Sequence, residues 1–267
     1  MVVTTAAFGE LVREWRVRRR TSQMDLALEA EISPRHLSFL ETGRANPSRD
    51  MVLRLAETLE VPLRDRNALL NAAGFAPVFR ERPLDDPELG PARTAVDLLL
   101  AGHEPYPALA IDRHWNLVAA NRVAPAFMQG CSEELLRPPI NVLRLSLHPG
   151  GLAPRIANLA EWRSHLLERL RRAITASGDE DLKALYAELK AYPVDSDDDS
   201  ASRNRDYAGV ILPFELKTPA GVLAFFSTTT VIGTPIDITL SELAIESFFP
   251  ANEATATALS ELGKKPS

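Results

Sequence analysis

The fold of the N-terminal part is decided by residues 22–43, SQMDLALEAEISPRHLSFLETG. Ser22 stands where an N-cap side chain accepts a backbone hydrogen bond, and Asp25 follows three residues later, which completes a capping box. Ser33 repeats the signal, with Pro34 at the first helical position, where a missing N–H costs nothing. The spacing predicts two short helices joined by a turn of a few residues.

Apolar residues at helical spacing extend this pattern on both sides. Upstream, the stripe of an amphipathic helix is formed by Phe8, Leu11, Val12 and Trp15. Downstream, Ser48 caps a fourth helix, and a fifth helix begins at Pro62 and ends at Gly74. Five short helices with short connections predict an all-α domain over residues 1–75.

Several spaced positions of this segment match one family at once. They are Ser22-Gln23-Met24-Asp25-Leu26-Ala27, Ile32-Ser33, Leu37, Leu40-Glu41-Thr42-Gly43 and Pro47-Ser48. Over residues 8–73 the sequence resembles the lambda-repressor/Cro-type helix-turn-helix transcriptional regulators, the XRE family. The resemblance implies a five-helix DNA-binding domain whose helix 33–41 enters the major groove. The alternative is a helical bundle used for protein contacts, as in some members of this fold.

The resemblance and the helical phase together predict the residues that contact double-stranded DNA. We expect Arg35 to read O6 and N7 of guanine, whereas Gln23 contacts the phosphate backbone. Phe39 occupies a position where many relatives have a polar base reader, so it contacts a thymine methyl or packs on a neighbouring element. The full set of expected contacts is Gln23, Ser33, Pro34, Arg35, His36, Ser38, Phe39, Arg44, Asn46 and Arg49.

Glu31 is a second departure from the family pattern. Relatives usually have glycine in this turn, because the position favours a positive φ. A glutamate there carries a strain of about 1 kcal/mol unless the turn is reshaped.

Composition and charge agree with a globular, DNA-binding protein. The chain has 267 residues, of which 45% are apolar and 25% charged, which excludes wholesale disorder. The formal net charge of −6 argues against a protein that coats nucleic acid over its whole surface. Residues 1–82, however, carry 13 arginines, no lysine and 11 acidic residues. Because arginine binds phosphate bidentately, this local excess of positive charge suits DNA.

The sequence lacks signals for a membrane or an oxidising compartment. No apolar run approaches the roughly 18 residues that a membrane span needs, and Met1–Phe8 lacks a signal-peptide layout. The single cysteine, Cys131, cannot close an internal disulfide. We therefore expect a cytoplasmic protein without a membrane partner.

A polar connector separates this domain from the rest of the chain. It is marked by Pro77, Pro83, Pro87 and Pro91, with charged residues between them. A helix is predicted over residues 92–101 and ends before Pro105. Residues 76–104 are thus predicted to be a connector and linker helix.

The remaining residues alternate strands and helices. Short apolar or β-branched runs predict strands at Ala108–Ile111, Trp115–Val118, Val210–Lys217, Val222–Val231 and Leu243–Phe249. Helical periodicity predicts a long helix from Arg155 to Ser177 and a second one through Leu182 and Leu189. This order predicts an α+β domain over residues 105–260, with a sheet of about five antiparallel strands.

Residues 111–122, a hairpin followed by a helix, resemble the opening of PAS domains. Three further segments make the second half look like that of the MmyB-like regulators: Tyr106-Pro107-Ala108-Leu109, Asn141-Val142-Leu143-Arg144 and His148-Pro149. That resemblance implies a PAS-like ligand-binding domain. Residues 190–210 depart from it, since they carry an acidic loop where a tryptophan-centred stretch is common.

Aromatic and leucine residues predict a binding site for an elongated apolar molecule such as a fatty acid, because such sites are mostly apolar with a few orienting polar groups. The expected ligand contacts are Trp115, Phe127, Arg144, Arg155, Leu166, Leu170, Phe214, Phe225 and Phe248, with either arginine capping a carboxylate. The alternative is that these side chains fill a core and that the domain only dimerises or binds a protein partner. A homodimer is expected in both cases, because one recognition helix buries too little surface for specific binding.

Other chemistry has weaker support. Four aspartates have the spacing of a calcium loop: Asp195, Asp197, Asp199 and Asp206. Ser200 replaces its glycine, so we expect a solvated acidic loop. His114 and His148 are the best candidates for haem ligands, but both positions are more typical of turn or capping histidines. Because the sequence lacks zinc-ligand spacing, a phosphate loop and a nucleophile motif, we expect no metal, no cofactor beyond a bound apolar ligand, and no catalysis. An enzyme using the α+β domain is the third hypothesis.

Overall fold

The computed structural model describes residues 7–193, 212–233 and 235–262. These residues divide into two compact units. The first extends to Pro83 and includes Thr175–Ser177 and residues 235–241, and the second contains the other described residues. The four aspartates of the predicted acidic loop, and residues 210 and 211 of a predicted strand, lie outside the described residues. The domain boundaries given above stay a prediction.

Five helices at the start of the chain make up most of the first unit, as the capping residues and the apolar spacing predict. They are α1 (Phe8–Arg18), α2 (Gln23–Glu29), α3 (Pro34–Glu41), α4 (Arg49–Thr58) and α5 (Leu63–Ala72). The Ser22 hydroxyl accepts from the N–H of Asp25 at 3.1 Å, and the Ser33 hydroxyl accepts from the N–H of His36 at 3.1 Å. The core contains the predicted apolar stripes, including Val12, Leu26, Leu37, Leu40, Val52, Leu55 and Leu70.

The turn between α2 and α3 has the strained geometry that its sequence suggests. Glu31 has a φ of +54° and is exposed. Its N–H donates to Leu28 O at 3.2 Å, and the next N–H, of Ile32, donates to Ala27 O at 2.9 Å. This is a Schellman motif, which places its left-handed residue where glycine is preferred. The turn is therefore not reshaped to suit glutamate.

We expect Glu31→Gly to stabilise the first unit by about 1 kcal/mol, because glycine adopts a positive φ without the Cβ penalty. Glu29→Gly is the matched control. Glu29 is also exposed but has helical backbone as the last residue of α2, so the same change there should destabilise by up to about 1 kcal/mol. Urea denaturation of the three proteins measures both effects. A loss of stability in Glu31→Gly would mean that the glutamate side chain stabilises the turn.

A five-stranded antiparallel sheet is the centre of the second unit within the described residues. Its strands are β1 (Ala108–Ile111), β2 (Leu117–Ala120), β3 (Phe214–Thr218), β4 (Gly221–Val231) and β5 (Ala244–Pro250). Their order is β2-β1-β5-β4-β3, and every neighbouring pair is antiparallel. The helices of this unit are α6 (Gly90–Gly102), α7 (Ala124–Phe127), α8 (Val142–Leu147), α9 (Leu159–Ser177, except its last three residues), α10 (Glu180–Ala191) and α12 (Glu253–Leu262), whereas α11 (Ile238–Ser241) belongs to the first unit. The predicted fold class, a helical domain followed by a PAS-like α+β domain, is confirmed.

The two faces of this sheet are covered differently. Val96 and Leu100 of α6 pack on one face, against Ala108, Ala110 and Ile245. On the other face, Leu166 and Leu170 of α9 join a core of side chains from β3, β4 and α10: Phe214, Leu216, Leu223, Phe225, Leu185 and Leu189. Because side chains alternate along a strand, Phe225, Ser227 and Thr229 of β4 share this second face.

The strand predicted to begin at Trp115 begins two residues later. Trp115 has a φ of +61°, and its N–H donates to Asp112 O at 3.0 Å, so it completes the turn after β1. The side chains of this turn are held by Asp112, whose Oδ1 accepts from the N–H groups of His114 and Asn116, both at 2.8 Å. The tryptophan that we expected to open the strand therefore belongs to the turn before it.

Candidate functional site

Helix α3 has one buried face and one face that is exposed or half-buried. Leu37 and Leu40 are almost fully buried, whereas Pro34 and Arg35 are exposed and Ser38 is half-buried. The remaining residues predicted to contact DNA surround this face. His36 and Phe39 are half-buried in α3, and Arg44, Asn46 and Arg49 are exposed in the segment that leads into α4.

Phe39 lies between two arginines. The Arg35 guanidinium carbon is 5.4 Å from the centre of the Phe39 ring, and that of Arg44 is 6.0 Å away. Both distances suit a cation–π contact, which is worth about 0.5–1 kcal/mol at an exposed site. The ring thus restricts the arginine side chains that the sequence predicts to contact a base and a phosphate.

Gln23 has a partner inside the unit. Its Nε2 donates to Glu41 Oε2 at 2.6 Å, and Glu41 also receives Nε and Nη2 of Arg16 at 2.7 and 3.0 Å. The Glu41 side chain is only 2% exposed. Its hydrogen bonds raise the pKa of the Arg16 guanidinium. The network fixes the start of α2 against the end of α3, and the second N–H of Gln23 remains a donor for a phosphate.

The second unit contains an apolar cavity between the sheet and α9. It has a volume of about 110 Å³, enough for about 7–11 non-hydrogen atoms at about one water-sized position per 10–15 Å³. Aromatic and aliphatic side chains form most of its lining, which consists of Pro107, Leu109, Trp115, Ala124, Phe127, Met128, Val142, Leu143, Leu145, Ser146, Leu152, Trp162, Leu166, Arg169, Phe214, Phe225, Ser227, Glu246 and Phe248.

Six of the nine predicted ligand contacts line this cavity: Trp115, Phe127, Leu166, Phe214, Phe225 and Phe248. Leu170 is fully buried in the core beside it. Arg144 and Arg155 are not among the lining residues. Arg144 pairs with Glu188, its Nε lying 2.8 Å from Oε1, and Arg155 donates to Phe127 O at 2.9 Å. Both predicted carboxylate partners thus bind other groups of the domain in this structure, and their contact with a ligand stays a prediction.

Sequence reasoning missed the charged residues that do line the cavity. Arg169 of α9 lies three residues after Leu166, on the same side of the helix, and Glu246 lies two residues before Phe248 on β5. These spacings were the available signal. Nη1 of Arg169 lies 3.4 Å from Glu246 Oε2, and Nη2 donates to Thr229 Oγ1 at 3.1 Å.

His165 and Trp162 stand beside this ion pair. Their rings stack with centroids 5.5 Å apart, and Trp162 Nε1 donates to Ser146 Oγ at 3.0 Å. Burial lowers the pKa of His165, and the positive charge of Arg169 lowers it further. The imidazole is therefore neutral near pH 7, and the ion pair supplies the charges at the cavity wall.

The histidines considered as haem ligands have other partners. Nδ1 of His148 accepts from the N–H of Gly150 at 2.9 Å, as a capping histidine does. His114 Nε2 lies 3.0 Å from Asp179 Oδ2, with Asp181 nearby, a grouping that could hold a metal ion. Asp179 already caps α10 and pairs with Arg113 at 3.2 Å. A cation would have to share the carboxylate with that arginine, so the residues fit a capping network better than a metal.

Two family models match the chain. Residues 92–262 match the MmyB-like transcription regulator ligand binding domain, and residues 7–69 match a helix-turn-helix domain. No curated protein matches. A solved structure described as "Structure of an RNA-binding Light-Oxygen-Voltage Receptor" is 13% identical over 96% of this chain and 63% of that one, with a TM-score of 0.25. This chain therefore spans less than two thirds of that receptor. Among the described residues, every helix is too short or too polar to cross a bilayer.

Proposed function

The chain belongs to the MmyB-like transcription regulators and joins a helix-turn-helix domain to their ligand-binding domain, and we propose that it binds a palindromic operator as a homodimer and responds to an apolar, acyl-type small molecule. The observation that carries the proposal is the cavity lined by aromatic and aliphatic side chains in the second unit. Both matched families are of the regulator type, and no catalytic activity is proposed.

The expected DNA contact is supported by the arrangement around Phe39. Arg35 is exposed on α3, and its contact with the Phe39 ring limits the conformations that it must lose on binding. A guanidinium held in this way suits bidentate recognition of guanine in the major groove. Arg44 lies beyond the end of α3, where a phosphate contact is expected.

Arg35→Ala should weaken binding to the operator by about 1–3 kcal/mol and leave binding to random DNA nearly unchanged. Arg44→Ala should weaken both alike, because a phosphate contact carries no sequence information. Fluorescence anisotropy at one low salt concentration measures both, using an operator selected from genomic fragments. Arg93→Ala is the control for the loss of one positive charge, because Arg93 is an exposed residue of α6. If Arg35→Ala weakens binding to the operator and to random DNA equally, Arg35 does not read a base.

A homodimer would place two copies of α3 one helical turn apart, about 10–10.5 base pairs. An exposed apolar surface on α6 supports this part of the proposal, since Leu98 is 68% and Leu99 53% exposed. Apolar side chains grouped at a surface are typical of protein interfaces. A footprint that covers one half-site only would contradict the dimer.

The ligand hypothesis is tested with the delipidated protein and a series of fatty acids and fatty amides, from hexanoyl to hexadecanoyl. A ligand that binds only the folded state raises stability by mass action, which corresponds to about 5–10 °C in Tm at about 100 times Kd. The cavity volume of about 110 Å³ favours chains near the short end of the series. Operator affinity is measured in parallel. If no chain length shifts Tm and no small molecule co-purifies, the second domain only dimerises or binds a protein partner.

A further inference from the structure

The polar side chains of the cavity lie together at one part of its wall. Phe225 and Ser227 point to the cavity from β4, and Phe248 and Glu246 do so from the neighbouring strand β5. In the register of these strands Ser227 faces Phe248, and Thr229 faces Glu246. Two residues along either strand, a distance of about 7 Å, therefore separate the aromatic part of the cavity wall from its polar part. The cavity suits a molecule with an apolar body and a polar end.

The polar part of the wall carries two charges that neutralise each other. Arg169 contacts Glu246, and Thr229 Oγ1 accepts from Arg169 at 3.1 Å and donates to Glu246 Oε1 at 2.9 Å. The Glu246 side chain is 7% exposed and that of Arg169 is 26% exposed. Water therefore screens this pair poorly, and any further charge placed beside it acts strongly on both members.

A carboxylate is a poor fit at this place. A ligand carboxylate that accepts hydrogen bonds from Arg169 would lie beside the Glu246 carboxylate, which already receives them. Two like charges at one buried site repel each other, and such juxtaposition discriminates against the wrong partner. The ion pair thus offers a ligand hydrogen bonds without offering it a net charge.

A neutral amide or hydroxyl fits both members of the pair. Glu246 Oε2 lies 3.4 Å from Arg169 Nη1, a long hydrogen bond that leaves this oxygen able to accept a shorter one. A ligand N–H or O–H can donate to Glu246, while the carbonyl or hydroxyl oxygen accepts from Arg169. Both polar groups then keep partners when the ligand displaces water.

We propose that the ligand of this cavity is an uncharged amphipathic molecule, such as an acyl amide or a fatty alcohol, and that Glu246 is the residue that discriminates against a free carboxylate. The proposal rests on the proposed function, since it requires that the cavity binds an apolar chain. It adds the chemical class of the polar end and the residue that selects it.

The test compares octanamide, 1-octanol and octanoate, three probes with the same apolar chain, on the full delipidated chain at pH 7.5. Isothermal titration calorimetry should show that the amide and the alcohol bind at least about tenfold more tightly than octanoate. Glu246→Gln removes the negative charge and leaves Arg169, so it should reverse the preference toward octanoate. Glu188→Gln removes the carboxylate that pairs with Arg144 outside the cavity lining, and should keep the wild-type order.

The outcomes separate the two proposals. If octanoate binds the wild-type chain as tightly as octanamide, the neutral-ligand proposal is wrong while the apolar-ligand function stands. If no probe of any chain length binds, both are wrong. The wild-type comparison decides even if Glu246→Gln does not fold. An unchanged order in a folded Glu246→Gln variant would show that another group selects the polar end.

Discussion

Replacing Glu41 by alanine is expected to destabilise the first unit by about 3–5 kcal/mol, the cost of breaking a buried ion pair from one side. The Glu41 side chain is 2% exposed and that of Arg16 13% exposed, so the guanidinium would be left in the interior without its carboxylate. Gln23 Nε2 would lose its acceptor at the same time. An unpaired buried charge costs more than the pair itself contributes.

The measurement is hydrogen exchange of residues 8–72 in the full chain, followed by mass spectrometry, because the two units need not unfold together. Glu81→Ala is the control. Glu81 also pairs with an arginine, Arg64, but its side chain is 53% exposed, so the loss there should be about 0–1 kcal/mol. A loss below about 1 kcal/mol in Glu41→Ala would mean that water enters and solvates Arg16.

The helical unit was predictable because its signals are local. Ser22 and Ser33 each bond to an N–H three residues ahead, and the residues between them fit a single short turn. The positive φ of Glu31 follows from the same local pattern. Apolar phase then predicts which side of α3 is exposed, since Leu37 and Leu40 are one turn apart.

The cavity was predictable in its apolar part and not in its polar part. Aromatic residues in strands are expected to bury their side chains whatever packs against them, so Phe214, Phe225 and Phe248 were found. A charged residue on a mostly apolar face has two possible meanings, and only its partner decides between them. Arg169 meets Glu246 across 77 residues of sequence, and Arg144 meets Glu188 across 44. Neither pairing has a local signal.

Phe225→Ala should have the other large effect, a loss of about 3–5 kcal/mol in the second unit. Phe225 is 1% exposed, and its ring centroid lies 5.8 Å from that of Phe127 and 6.0 Å from that of Phe214. Truncation removes these contacts and joins the space of the lost ring to the existing cavity. The surroundings are apolar, so the enlarged cavity stays poorly hydrated and favours an apolar ligand.

The enlarged cavity gives the prediction its second measurement. Acyl amides should recover part of the lost stability of Phe225→Ala, and the chain length that raises Tm most should be longer than in the wild-type protein. Phe226→Ala is the matched control, because Phe226 lies on the opposite face of β4, stacked on Phe249 with centroids 5.2 Å apart. It should cost less stability and leave the preferred chain length unchanged. If Phe225→Ala and the wild-type protein prefer the same acyl chain length, the bound chain does not reach Phe225, because a ligand that fills the enlarged cavity should be longer.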